Sequence, residues 1–156
     1  MITVNELAVK LTTEANELLV RAVRAMPADK VVWRALDMGR SPLEMVVECG
    51  TTNMLMSQIL NEMGMPPYDP EVARRSNASY DTISKAIGML KDGTDALVNA
   101  IEIFPVKHLE DSLTLPFGGG MIRTYSEIMV MPYWNMTYHL GQINFVQTLY
   151  GDREMH

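Results

Sequence analysis

The sequence predicts an all-α protein, a four-helix bundle with a small loop or hairpin before the last helix. Four long segments repeat apolar residues at spacings of three and four, which is typical of amphipathic helices. Three of these segments open with a capping box, a local signal for the start of a helix. The 156 residues fit one domain, predicted to span residues 1–156, and the 47% of hydrophobic residues can form a core without disulfide or metal cross-links.

The first predicted helix begins after Thr3. The Thr3 hydroxyl can accept a hydrogen bond from the backbone of Glu6, and the Glu6 carboxylate can accept one from the backbone of Thr3. Pro27 ends this helix, and residues 28–40 follow as a connector. The predicted core stripe of the helix is Leu7, Leu11, Ala15, Leu18 and Ala22.

The second predicted helix has the clearest start in the chain. Ser41 and Glu44 form a capping box, and Pro42 occupies the first helical position, where its missing N–H is harmless. The helix runs to about Met63, and residues 65–78 are predicted to form a loop. Its predicted core stripe, with an acid in the middle, is Met45, Glu48, Thr52, Leu55 and Ile59.

The third predicted helix begins near residues 79–81 and ends near Phe104. Residues 105–123 then form a loop with a small hairpin, because Ser112–Leu115 alternates polar and apolar side chains. The glycines at 118–120 allow the positive φ angles that a tight turn requires.

The fourth predicted helix begins after Thr124, which forms a capping box with Glu127, and continues to Tyr150. Pro132 lies inside it and should bend it, because the proline ring removes one backbone hydrogen bond. Gly141 is predicted to permit close approach of a neighbouring helix.

Charge and cysteine content exclude several classes of function. The chain has 13 Lys and Arg against 19 Asp and Glu, a net charge of −6, and no basic run, which disfavours sequence-independent binding to nucleic acid. No apolar run approaches the ~18 residues of a membrane span, and the N-terminal residues do not resemble a signal peptide. Cys49 is the only cysteine, so no internal disulfide forms. We expect a cytoplasmic protein without nucleic-acid or membrane partners.

Polar residues interrupt the predicted core stripe of the fourth helix. That stripe consists of Ile128, Met131, Asn135, His139, Gln142, Val146 and Leu149. Three polar side chains therefore lie in its central turns, and Glu48 lies in the middle of the second helix. Buried polar groups require partners, so these residues should pair with each other, a metal ion, water or a ligand. From spacing alone, a hydrogen-bonded pair of Glu48 and His139 and a metal site both remain open.

The stretch Tyr138–Ile143 resembles the His-x-Gly-Gln signature of the DinB-like, or YfiT-like, family of four-helix bundles. His139 and Gln142 stand at its two ends. The segment Ser41–Glu48 resembles the part of that family's second helix that carries its first metal-binding histidine. The number, order and lengths of the predicted helices agree with the family over essentially the whole chain.

The resemblance implies a site for a divalent metal such as nickel or zinc, held in the family by three histidines. It also implies thiol-dependent S-transferase or isomerase chemistry. Carried over by position, the third ligand is His139, the second falls on Asn135 and the first on Glu48. Oxygen ligands suit harder ions such as manganese, so we expect metal to be bound weakly or not at all. Gln142, Tyr138 and Thr52 are predicted to line a substrate pocket.

Three hypotheses of function follow. The first is a thiol S-transferase-type enzyme whose divalent-metal site is altered to Glu48, Asn135 and His139. The second is a non-catalytic bundle that binds a small molecule through these residues. The third is a dimeric interaction protein, since the resemblance implies a homodimer. Cys49 is predicted to be a packed small residue and not a nucleophile, because no base is placed to activate it.

Overall fold

A computed structural model describes all residues, Met1–His156, and confirms the all-α class. Four long helices form the bundle, and a two-stranded antiparallel sheet precedes the last of them. No helix combines the length and apolar character needed to cross a membrane. The elements in chain order are α1 (Val4–Arg24), α2 (Ala28–Val31), a 3₁₀ turn (Ala35–Asp37), α3 (Pro42–Glu62), α4 (Pro70–Asn77), α5 (Ile83–Ile103), a second 3₁₀ turn (Val106–His108), β1 (Ser112–Leu115), β2 (Met121–Thr124) and α6 (Tyr125–Leu149).

Three of the long helices start where the sequence predicts. Capping boxes are present at Thr3, Ser41 and Thr124, each with a glutamate three residues later. The exception is α5, which begins after Thr82 because the Thr82 hydroxyl accepts from the backbone of Lys85. The start of the third helix is therefore later than predicted. Caps are local, which explains why they can be read from the sequence.

Helix α1 is antiparallel to α5 and parallel to α6. Asn5, near the start of α1, donates to the carbonyl oxygens of Ile101 and Phe104 at the end of α5, so these two helices run in opposite directions. Gln147, near the end of α6, donates to the carbonyl oxygen of Ala22, near the end of α1. Helix α3 packs against α5 and α6, as α1 does.

Helix α3 is parallel to α5 and antiparallel to α6. Gly50 lies against Leu90 and Asn53 bonds Thr94, so residue numbers rise together along α3 and α5. Along α6 they run oppositely, since Asn53 contacts Met136 and the earlier α3 residues contact later ones. The bundle is thus up-down-down-up in chain order.

This topology corrects the prediction of a loop over residues 65–78. Because α3 and α5 are parallel, the connector between them must return along the ~30 Å length of a 21-residue helix. The structure places α4 in this connector, with Pro70 at its first position and the Asp69 carboxylate accepting from Glu71 and Val72. No residue of α4 is buried, so the segment lacks the apolar stripe that would have indicated a helix.

The predicted hairpin is confirmed. Strands β1 and β2 are antiparallel, and Ser112 lies opposite Thr124. The turn between them uses Gly118, Gly119 and Gly120, which have φ angles of 56°, 81° and 92°. These left-handed conformations are accessible to glycine at little cost.

The predicted core stripes of α1 and α6 are rotated from the observed ones. Leu7 and Leu149 are exposed, whereas Asn5 and Gln147 are buried. Each helix packs against two neighbours, and the directions of those neighbours fix the buried sector. The buried residues of α1 are Asn5, Ala8, Thr12, Ala15, Leu19, Ala22 and Val23. Those of α6 are Tyr125, Ile128, Met129, Pro132, Met136, His139, Ile143, Val146 and Gln147.

The prediction that Gly141 allows close helix approach is wrong. A Cβ atom at Gly141 would meet no atom within 4 Å. The close approach is instead between α3 and α5, where a Cβ at Gly93 would lie 2.3 Å from the carbonyl oxygen of Gly50. A Cβ at Gly50 would lie 2.8 Å from the backbone nitrogen of Leu90. These two glycines let the backbones of α3 and α5 touch.

Candidate functional site at the contact of α3 and α6

His139 is the centre of a polar cluster that also contains Glu48 and Gln142, and it is only 1% exposed. Its Nδ1 atom lies 2.7 Å from Oε1 of Gln142, one turn later on α6. Its Nε2 atom lies 3.2 Å from Oε1 of Glu48 on α3. The structure therefore brings together three of the residues that the sequence predicts for the site.

Both nitrogens of the imidazole face acceptors. Gln142 donates its amide N–H to the Tyr138 hydroxyl at 3.4 Å, which leaves the amide oxygen to face the ring of His139. The ionised carboxylate of Glu48 can only accept. Each ring nitrogen of His139 therefore has an oxygen partner within the cluster.

Glu48 is half-exposed, which corrects the expectation of a buried acid. Its side chain is 40% exposed, and its second carboxylate oxygen accepts from the guanidinium of Arg40. The hydrogen bond from His139, together with the positive charges of His139 and Arg40, lowers the pKa of Glu48, against the opposing effect of partial burial. The carboxylate is held between the imidazole of His139 and the guanidinium of Arg40.

Asn135 does not join His139. Its amide nitrogen lies 3.7 Å from the sulfur of Cys49, and its carbonyl oxygen has no hydrogen-bond partner in the chain. Cys49 is fully buried, in agreement with the packing role predicted for it, and burial strongly raises the pKa of its thiol. A buried thiol of this kind is not a nucleophile at neutral pH.

The residues at the three positions carried over from the resemblance do not fit a tightly held divalent metal. Glu48 and His139 contact each other, but Asn135 points to Cys49, and both carboxylate oxygens of Glu48 are already hydrogen-bonded, one to Arg40 and one to His139. No group of three His, Cys, Asp or Glu side chains that could hold an ion occurs in the chain. The assignment of these residues as metal ligands stays a prediction.

A cleft of about 640 Å³ opens beside the polar cluster, between α3, α4 and α6. Glu48, Thr52 and Asn135 line it, whereas Gln142 and Tyr138 lie outside it. Its apolar lining comes from Met54, Leu55, Met56, Pro67, Tyr68, Val72, Ala73, Met89, Phe117, Met131 and Trp134. A second cleft of about 550 Å³ on the other side of α4 also reaches Glu48.

Sequence reasoning missed the residues that the α3–α5 connector brings to this site. Tyr68 stands at both clefts, and its ring packs edge-on against Phe117 from the hairpin at a centroid distance of 5.9 Å. Arg40 lies eight residues before Glu48, in the connector that precedes α3, and the sequence indicates that it could rim a pocket mouth at that end of the bundle. No periodic signal marks either residue.

Comparison with solved structures supports the same architecture. YfiT from Bacillus subtilis, a probable metal-dependent hydrolase with an unusual four-helix bundle topology, matches with a TM-score of 0.78 and 15% identity, over 94% of this chain and 87% of YfiT. The chain has the DinB-like fold. No protein-family model and no curated protein matches it.

A second DinB-like match is a mycothiol-dependent maleylpyruvate isomerase. Two structures of that enzyme, the first of them a histidine-to-alanine mutant, match with TM-scores of 0.72 and 0.70 at 14% identity. The match covers 92% of this chain and 63% of the isomerase, so the isomerase has a substantial part that this chain does not span. At identities of 14–15%, these comparisons establish only the fold of this chain, which is DinB-like.

Proposed function

We propose that the protein binds a small organic molecule in the cleft beside Glu48 and Asn135, without a tightly held metal ion. The observation that carries this proposal is that side chains of this chain already form the hydrogen bonds of Glu48. Arg40 and His139 satisfy the carboxylate of Glu48 at the edge of a mostly apolar cleft. The imidazole of His139 and the carboxylate of Glu48 are already paired within the chain, so a ligand and not a metal is the expected occupant of the space beside them.

The lining of the cleft defines the class of ligand. A volume of about 640 Å³ is that of a typical small-molecule pocket. Trp134, Phe117 and Tyr68 offer aromatic surface, and Glu48 and Asp69 are the charged residues of the lining. No Lys, Arg or His lines the cleft. A neutral or cationic molecule with an aromatic or aliphatic body fits this surface better than an anion does.

Two acceptors at the cleft are available to orient such a molecule. The carbonyl oxygen of Asn135 has no partner in the chain, and the carboxylate of Glu48 has lone pairs beyond those used by Arg40 and His139. Because two donors on different elements hold Glu48, its carboxylate is fixed before a ligand arrives. This arrangement favours recognition of an N–H donor on the ligand.

Calorimetric titration with tryptamine and indole-3-acetate tests the proposal, since these probes share an aromatic body and differ in charge. We expect tryptamine to bind at least ~10-fold more tightly. Thr52→Arg places a long cationic side chain in the cleft and should abolish this binding, whereas Ser84→Arg, at an exposed position of α5 outside the cleft, should not. Equal binding to both variants, or preference for the carboxylate, would contradict the proposal.

A metal-dependent thiol transferase is the second candidate, and the fold shared with the mycothiol-dependent isomerase favours it. In that case His139 and Glu48 would hold a divalent ion and Arg40 would have to move away. Elemental analysis of protein purified without chelator, beside His139→Ala, separates the candidates. Near-stoichiometric metal that is lost in the variant would support the transferase. Metal-free wild-type protein that binds tryptamine would support the first proposal.

A further inference from the structure

A groove of about 650 Å³ runs between α1 and α5, across the bundle from the candidate site. Helices α1 and α3 each pack against both α5 and α6, so the face between α1 and α5 is opposite the contact of α3 with α6. The groove shares no lining residue with the cleft of about 640 Å³ at that contact. We call it the α1–α5 groove, and its polar lining includes Asn16, Arg21 and Arg24 of α1 and Lys91 and Thr94 of α5.

Two arginines in the α1–α5 groove have no acidic partner. Arg21 and Arg24 lie in the last turn of α1, and both are exposed. Neither forms an ion pair within the chain, whereas Arg34, Arg40 and Arg74 each pair with a glutamate. The guanidinium N–H donors of Arg21 and Arg24 are therefore available to a ligand.

A third cation comes from the opposite wall of the groove. Lys91 of α5 pairs with Asp95, one turn later on the same helix, and an ammonium group has three donors, so this pair leaves others free. Three cations and two acids, Glu17 and Asp95, line the groove, which is therefore net positive in a chain of net charge −6. Arginines at the end of a helix complement its dipole. That effect does not account for a lysine that faces them from a second helix.

Asn16 offers a neutral donor in the same groove. Its Oδ1 atom lies 3.3 Å from the hydroxyl of Thr94, which is 4% exposed and also bonds Asn53 of α3. This buried chain of polar groups orients the Asn16 amide, and the amide nitrogen has no partner in the chain. Asn16 and Arg24 are eight residues apart on one side of α1, a separation of ~12 Å along the helix. An organic group fits between them.

The floor of the groove between these polar groups is apolar. Val20 lies midway between Asn16 and Arg24 on α1, and Ile87 and Val98 line the groove from α5. All three apolar residues are half-buried. A hydrated inorganic anion gains nothing from such a surface, whereas the carbon skeleton of an organic anion can pack against it.

We propose that the α1–α5 groove binds a phosphorylated small molecule. Arg21 and Arg24 bind the phosphate, because a guanidinium group matches phosphate oxygens with two parallel hydrogen bonds. The organic part packs on Val20 and Ile87, and Asn16 donates to an acceptor on it. A phospholipid headgroup carries the same phosphate, but a chain of net charge −6 is repelled by an anionic membrane surface. This proposal does not rest on the proposed function, whose cleft on the opposite face favours neutral or cationic molecules.

Calorimetric titration with ADP, adenosine and inorganic phosphate at ~0.15 M ionic strength tests the proposal. We expect one ADP per chain, bound at least ~10-fold more tightly than adenosine or phosphate, because ADP uses both the cations and the apolar floor. The double variant Arg21→Gln with Arg24→Gln should weaken ADP binding at least ~10-fold. Lys10→Gln with Lys107→Gln is the matched control. It removes the same charge from two exposed, unpaired lysines outside the groove and should bind ADP as wild type does.

Asn16→Asp is a second test that keeps the shape of the groove. The carboxylate can still accept from Thr94, so we expect a folded protein, and its negative charge should weaken ADP binding at least ~10-fold. Circular dichroism checks that each variant is folded. ADP binding no tighter than that of adenosine or phosphate would overturn the proposal, and so would an equal loss in the two double variants. Wild-type protein that bound vesicles of phosphatidic acid and phosphatidylcholine but not ADP would also overturn it.

Discussion

Helix α3 meets its two long neighbours in opposite ways. Toward α5 it presents Gly50, which contacts the backbone of Leu90 and lies against Gly93, so this contact is close and buried. Toward α6 it presents Glu48, which reaches His139 across a polar contact that opens onto the cleft. The contact with α5 depends on two glycines that lack side chains. The contact with α6 depends on two ionisable side chains, Glu48 and His139.

The difference between the two contacts shows how a site can be kept open in a small bundle. The buried polar pair Asn53 and Thr94 also lies on the α5 side, and Thr94 extends it to Asn16 of α1. These interactions fix the position and register of α3 against α5. The contact of α3 with α6 can then carry half-exposed polar groups. Such groups are poorly suited to holding a core together, because burying them costs free energy unless they are paired.

Substitution of Gly93 should produce the largest effect. The Cβ of Gly93→Ala would lie 2.3 Å from a backbone oxygen, so α3 and α5 must move apart, and we expect a loss of roughly 3 kcal/mol or more in the free energy of unfolding. Gly88→Ala on the same helix meets no atom and should gain up to ~1 kcal/mol from helix propensity. Urea denaturation followed by circular dichroism measures both. Equal stabilities of the two variants would show that the close contact does not exist.

Substitution of His139 should produce a smaller but clear effect on the other side of α3. His139→Ala empties a buried position and removes one partner of Glu48, and we expect a loss of about 2–4 kcal/mol. The loss comes mainly from the cavity, because Glu48 is half-exposed and keeps Arg40. Gln142→Ala is the milder control, expected to cost about 1 kcal/mol. The midpoint of unfolding is measured in chelator-containing buffer at neutral pH. A His139→Ala midpoint equal to that of wild type would contradict the prediction.

The smallest expected effect is on the pH dependence of the free energy of unfolding, and it tests the contact of α3 with α6. The pKa of Glu48 is lowered in the folded protein, so its contribution to stability is fully present above the ordinary pKa of a glutamate and is lost as the pH falls through the lowered folded value. Glu48→Gln should therefore lose less stability than wild type between about pH 6 and about pH 3. Other carboxylates cancel in the difference. Parallel curves for the two proteins would show that Glu48 is not held by His139 and Arg40.

The sequence could predict the parts of this fold that are local. Capping at Thr3, Ser41 and Thr124 depends on residues three apart, and the glycines of the hairpin depend on their own φ angles. The connection of Glu48 to His139 could also be foreseen, because each is a polar residue on a helix that is otherwise apolar.

The sequence could not predict what depends on the relative placement of helices. The sequence predicts close helix approach at Gly141, but the structure shows it at Gly93. Nothing in the periodicity of α3 and α5 indicates that they are parallel, and therefore nothing predicted that α4 would lie beside the cleft. The role of Arg40 is of the same kind, since a connector and not a helix brings it to Glu48.

The parallel arrangement of α3 and α5 also has a consequence for how the chain folds. In an antiparallel hairpin, two helices can begin to pair at the turn that joins them. Here the matching ends of α3 and α5 are separated by the whole of α3 and the connector that follows it. The most extensive contact of the bundle therefore begins with closure of a loop of some forty residues. The entropic cost of closing a loop of n residues grows as about (3/2)RT ln n. We expect the nucleus to involve this non-local pair, and folding to be slower than in an up-and-down bundle of equal length.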